Sequence, residues 1–334
     1  MTLLHEWPLV FFTLTVQLAV GLHLALLAAE ELFGMGGRGP GGAGPGPHGL
    51  GPWASREGPP SPMSSPEGRN ESHGEEPERR PRLGDRGPSF LVGVLMGAAL
   101  IISLLHLGTP LNALHTLSNL DDSWLSREIL AALIFMGLWG SGFWLGRRPG
   151  AAPWKVRALA WATALAGMVL IWTMARIYMV PARPLWNHWL TAAGFLLTAL
   201  LLGASAVAAW LEQRSASESP PPGPISFPGT AGAALLLAGL AAALAQVAAT
   251  LAHPLTMELM ASAPGRPLAL LRLLLLLGGA FILVIPLLHR LPMGLRSSRL
   301  GSSGRWAVAA LLLLGASEVV GRMLFYAVGT VESF

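Results

Sequence analysis

With 52% hydrophobic residues against 12% charged over 334 positions, and a mean hydropathy of +0.54, this sequence excludes an ordinary water-soluble domain. Its pI near 10.5 does not point to nucleic acid, because the basic residues follow the connections between apolar stretches. There is no cysteine, so it can neither form a disulfide nor ligate an iron–sulfur cluster.

A membrane-spanning helix needs about 20 apolar residues. Eight stretches meet that need, at 8–29, 89–108, 126–145, 155–178, 188–211, 229–252, 268–288 and 306–328. They predict an all-α membrane protein, an eight-transmembrane-helix bundle. The first does not read as a signal peptide, since no basic residue precedes it and Glu30-Glu31 stands where small residues should be. Within it, His23 is either a haem ligand or hydrogen-bonded to a neighbouring helix; no matched mid-membrane histidine pair supports haem. Residues 34–88 are dominated by Gly, Pro, Ser, Glu and Arg and cannot bury enough apolar surface to fold, so a disordered cytoplasmic loop is expected there. The sequence thus divides into 1–33 (an N-terminal segment and first helix), this 34–88 loop, and 89–334 with seven further helices.

The second span ends on His106, and the third opens on Arg127 and Glu128. The fourth ends on Arg176 and Tyr178, which suit either a polar pocket or an interfacial anchor. Trp7, Trp186 and Trp189 fit an aromatic belt, and 219–224 (Ser-Pro-Pro-Pro-Gly-Pro) reads as a spacer between five helices and three. In the eighth span Glu318, Arg322 and Tyr326 fall at i, i+4 and i+8, on one face. Glu318 and Arg322 could be pocket residues or an ion pair that only locks the helix.

Sixteen of the 22 basic residues fall in the odd-numbered connections, which places those loops in the cytoplasm and both termini outside. On that topology His106, Arg127, Glu128, Arg176, Tyr178, Arg322 and Tyr326 gather toward the outer face. Ionisable groups are costly in a bilayer, and such a gathering is a functional-site signal. Acids, bases and phenols together can move protons at a lipid-accessible site.

Several segments carry a resemblance. His5-Glu6-Trp7-Pro8-Leu9, Leu105-His106-Leu107-Gly108-Thr109-Pro110 and Leu125-Ser126-Arg127-Glu128-Ile129 are similar to the membrane-anchor subunit of the anaerobic dimethyl sulfoxide reductase family. So are the stretches 172–178, 191–195 and 318–326. The resemblance runs through all eight spans in order and departs at 34–88; His115, His188 and His253 match no motif of it.

It implies a cofactor-free anchor in a prokaryotic cytoplasmic (inner) membrane that oxidises menaquinol. Electrons would pass to an iron–sulfur subunit and on to a molybdopterin catalytic subunit; this chain would not act on the terminal substrate. Glu128 matches the acid implicated in quinol binding, and His106 the histidine implicated beside it. Adding Arg127, Arg176, Tyr178, Glu318, Arg322 and Tyr326 to the pocket rests on the topology argument, and no metal ligands are expected. A passive anchor without a quinol site and an unrelated small-solute transporter are the alternatives. The transporter is disfavoured because the spans are mostly intact and, apart from Glu318, the ionisable residues sit toward one end.

Overall fold

The computed structural model describes residues 7–33, 87–106, 119–217, 227–262, 265–290 and 303–330. The expected loop at 34–88 lies outside these, apart from its last two residues. So do His5, Glu6, His115, the 219–224 spacer and the side chain of His106.

The described residues form helices and turns. Eight long helices are α1 (Trp7–Phe33), α2 (Pro88–His106), α3 (Trp124–Leu145), α4 (Pro153–Tyr178), α5 (Trp189–Ser217), α6 (Phe227–Ala252), α8 (Gly265–Leu288) and α9 (Ser303–Thr330). A short α7 (Pro254–Ala261) lies between α6 and α8. Seven of the eight long described helices are long and apolar enough to cross a membrane; α2 is the exception, apolar over the shorter range Pro88–Ser103. The protein is a multi-pass membrane protein.

Local chemistry sets the helix starts. Ser123 caps α3, its hydroxyl accepting from the Ser126 N–H at 3.2 Å. Pro153 and Pro254 open α4 and α7, where a missing N–H costs nothing. His253 caps α7 in the manner of a serine, its Nδ1 accepting from the Leu255 N–H at 3.1 Å.

Two four-helix groups make the bundle. In the first, α1 packs on α2 and α4, and α3 on α4; in the second, α5 packs on α6 and α9, and α8 on α6 and α9. The groups meet where α1 lies along α5, so α1 is the most enclosed span. Gly21 and Gly203 face each other there so closely that a Cβ on Gly21 would sit 1.9 Å from the Ala199 carbonyl oxygen. In lipid, where apolar burial between helices brings little, such backbone contact is what holds spans together. Outward faces carry Leu165, Leu274, Phe281 and Leu312, each about two-thirds exposed, as a lipid-facing surface requires.

Polar groups divide between the two ends. At the end where α1 finishes, Glu31 pairs with Arg157 and accepts from Trp161 Nε1 at 3.1 Å. Glu212, almost fully buried on α5, pairs with Arg290 and accepts from the Ser303 hydroxyl at 2.7 Å, tying α5 to the ends of α8 and α9. His23 lies between α1 and α4 with Nε2 2.9 Å from the Ala160 carbonyl oxygen, the helix-to-helix hydrogen bond that was one of its two expected roles. The opposite end, where α1 begins and α9 finishes, holds the candidate site.

Candidate functional site

At that end the helices bring four of the expected residues into one array. The Tyr178 and Tyr326 hydroxyls lie 3.0 Å apart, joining the end of α4 to the end of α9. Tyr326 also reaches the Thr13 hydroxyl on α1 at 3.5 Å. Phe195, Trp186 and Phe325 enclose the phenols, with Trp186 stacked on Phe325 at 5.0 Å between ring centres and its Nε1 donating to the Phe325 carbonyl at 3.1 Å. Glu128, one turn into α3, is 5% exposed and lies within electrostatic reach of both phenols. Among the described residues nothing donates a hydrogen bond to its carboxyl. Arg322 completes the array, its guanidinium 3.6 Å above the Phe195 ring.

Two other expected residues lie elsewhere. Arg127 donates to the carbonyls of Leu120 and Asp121 at 2.8 and 2.6 Å and covers Trp124, so it holds the turn before α3. Arg176 spans from Trp172 to the same Trp124, at 5.9 and 4.9 Å from the ring centres. Both arginines thus cover Trp124, Arg127 from the start of α3 and Arg176 from the end of α4. His106 is the last residue of α2, with its side chain outside the described residues.

Glu318 and Arg322 do not form the intrahelical ion pair that their spacing allows. Glu318 instead accepts from Thr198 on α5 at 2.6 Å and from Gln246 on α6 at 3.3 Å. Both face a cleft between α5, α6, α8 and α9, with about 510 Å³ of empty space counting its mouth. The sequence reading missed Gln246, Thr250, His253 and Arg272, which line it as well. Gln246 and Thr250 fall at i and i+4 near the end of α6, His253 follows at i+7 just past it, and Arg272 interrupts a leucine-rich run; both signals are present in the sequence. Because His253 Nδ1 accepts from a backbone N–H, the proton of the neutral ring sits on Nε2, 3.3 Å from the Thr191 hydroxyl. Burial, then the neighbouring His188 and Arg272, push the His253 pKa down to about 4, so it is neutral at pH 7.

The phenol pair invites a direct check. In a double-mutant cycle of Tyr178→Phe and Tyr326→Phe, followed by unfolding in detergent, the coupling energy should be roughly 0.6 kcal/mol, the usual size for such bonds in membranes. Strict additivity would mean that the bond contributes nothing to stability.

A family model described as DMSO reductase anchor subunit (DmsC) matches residues 86–328, which include every described part of the site except Thr13. Over 241 residues the sequence is 30% identical to YnfH, an anaerobic dimethyl sulfoxide reductase chain of Escherichia coli (strain K12), covering 71% of this protein and 79% of that one. It is 34% identical over 120 residues to an anaerobic dimethyl sulfoxide reductase chain of Haemophilus influenzae, covering 34% of this protein and 41% of the relative. A second such chain of Escherichia coli (strain K12) is 36% identical over 117 residues, covering 34% and 40%. No solved structure matches the sequence. The family match over most of the sequence and the 30% identity to a relative covered over 79% of its length agree: this protein belongs to the DMSO reductase anchor subunit (DmsC) family.

Proposed function

We propose that this chain anchors a molybdopterin and iron–sulfur oxidoreductase in a prokaryotic inner membrane, and that it binds and oxidises menaquinol at the Glu128 end of the bundle. The observation that carries the reading is a buried carboxyl, Glu128, with no donor among the described residues and a hydrogen-bonded pair of phenols beside it. The family match and the relatives, named as chains of anaerobic dimethyl sulfoxide reductases, support the anchor role.

Oxidising a quinol removes two electrons and two hydroxyl protons. A pocket for it must accept hydrogen bonds from both hydroxyls and then take the protons away. In our reading His106 accepts a hydrogen bond and then the proton from one hydroxyl, and Glu128 takes the proton of the other. The hydrogen-bonded tyrosine pair lies within electrostatic reach of Glu128 and continues to the Thr13 hydroxyl. The walls (Phe195, Trp186, Phe325) suit a flat aromatic headgroup. The electrons leave singly to an iron–sulfur subunit, since a chain without cysteine cannot hold the clusters itself. A molybdopterin subunit then reduces the terminal acceptor. With both termini outside, the site and these partners share the outer face.

The test is isolation of the tagged full chain from its native membranes in mild detergent. Two larger subunits should accompany it, with molybdenum and iron in stoichiometric amounts, and added menaquinol analogue should reduce the iron–sulfur clusters. A chain that emerges alone and metal-free from several detergents would overturn the reading.

A further inference from the structure

The cleft beside the phenol pair has a chemistry of its own. Its walls carry two guanidinium groups, Arg272 from α8 and Arg322 from α9, and one carboxylate, Glu318. Among the described residues neither guanidinium makes a hydrogen bond, and neither comes within 4.0 Å of a carboxylate oxygen. Arg322 is 6% exposed, and Gly321 leaves the space that the Arg272 guanidinium fills; a Cβ there would lie 2.5 Å from Nε. Glu318 is held by Thr198 and Gln246, so it is not free to turn toward either arginine. With His253 neutral, the described residues lining the cleft carry one positive charge more than negative, and an unbalanced charge is strongly disfavoured within a membrane.

Other unpaired groups complete the pattern. Among the described residues, the Gln246 Oε1 oxygen and the Thr250 hydroxyl are buried with no hydrogen-bond partner, and both face the same space. A ligand that satisfied all of them would present anionic oxygens to the arginines and hydroxyl donors to Gln246. Planar guanidinium groups match phosphate oxygens particularly well. Arg272 lies seven residues into α8, about 10 Å from its start at 1.5 Å per residue, within a long side chain's reach of the headgroup layer.

We propose that this cleft binds a singly charged phosphate group bearing hydroxyls, held between Arg272 and Arg322. Its single negative charge closes the balance, and its hydroxyls supply the donors that Gln246 and Thr250 lack. A glycerol-phosphate lipid headgroup and free dihydrogen phosphate share this chemistry. The cleft adjoins the Glu128 end of the bundle and shares Arg322, Phe195 and Phe325 with it, but the unpaired groups that call for an anion are present whether or not a quinol binds there.

The experiment uses the full chain, with whatever subunits co-purify, after stripping of lipid in mild detergent. Thermal unfolding is followed while phosphatidylglycerol, phosphatidylcholine or inorganic phosphate is added. Phosphatidylglycerol should raise the midpoint by about 5 °C at saturation, and phosphatidylcholine should not. A shift with inorganic phosphate as well identifies the bare anion as the ligand; a shift with phosphatidylglycerol alone identifies the lipid. No shift with either anion overturns the proposal. Arg272→Gln should weaken the apparent affinity at least about tenfold and Thr250→Val a few-fold, while Arg157→Gln, at the opposite end, leaves it unchanged. Should Arg272→Gln not fold, Thr250→Val still decides: full affinity in that variant would remove the ligand from this cleft.

Discussion

Replacing Glu128 by Gln is expected to cut quinol-linked turnover at least about a hundredfold while the complex still assembles. Positioned proton acceptors contribute about 10²- to 10⁴-fold to such steps, and an amide cannot take the proton. The substitution keeps shape and volume. Because no described residue donates to the Glu128 carboxyl, an amide breaks no hydrogen bond of the described structure. Assembly, detergent stability and electron transfer from an artificial donor that bypasses the quinol should therefore stay near native levels. That combination separates a chemical role from a packing role, since a packing defect would lower all of them together. Glu128→Asp keeps an ionisable group but withdraws it by one methylene, so it should fall between Gln and the native protein. Quinol turnover within twofold of native in Glu128→Gln would sink the assignment.

The spans are legible in the sequence because the rule that sets them is one-dimensional: length and apolarity suffice. The stretches read as 126–145 and 155–178 are the helices Trp124–Leu145 and Pro153–Tyr178. What is not legible is which spans touch. With 40 glycines and abundant alanine, many helix faces could support close backbone contact, and nothing local marks Gly21 for Gly203, 182 positions away. α7 is hidden for a different reason. Eight residues are too few to show a period, and their only signal is the His253-Pro254 cap.

The site divides along the same line. Glu128, Tyr178 and Tyr326 are legible as polar residues near one end of apolar spans, which is a matter of depth alone. The partners of Glu318 are not, because helical spacing points to Arg322 while the actual donors, Thr198 and Gln246, come from two other helices. Intrahelical geometry is periodic and can be counted; contacts between helices depend on rotation about each axis, which the sequence of one span does not fix.

The α1–α5 contact carries the largest structural prediction. A Cβ on Gly21 would lie 1.9 Å from the Ala199 carbonyl oxygen, and one on Gly203 would lie 2.1 Å from the Gly21 carbonyl carbon. The obstructing atoms are backbone on both sides, so no rotamer change relieves the clash and the helices must separate. Overpacking of this kind typically costs about 1–3 kcal/mol, and here separation would also loosen the junction between the two four-helix groups. Gly21→Ala and Gly203→Ala should each lower the thermal midpoint and the yield of folded protein. The two should not add: once the helices have parted to admit one Cβ, the second meets less resistance, so the double variant should be more stable than the sum predicts. Gly97→Ala on α2 and Gly140→Ala on α3, where a Cβ meets nothing within 4 Å, should be neutral or slightly stabilising through helix propensity. Equal behaviour of all four single variants in a detergent unfolding series would show that the α1–α5 contact does not hold the two groups together.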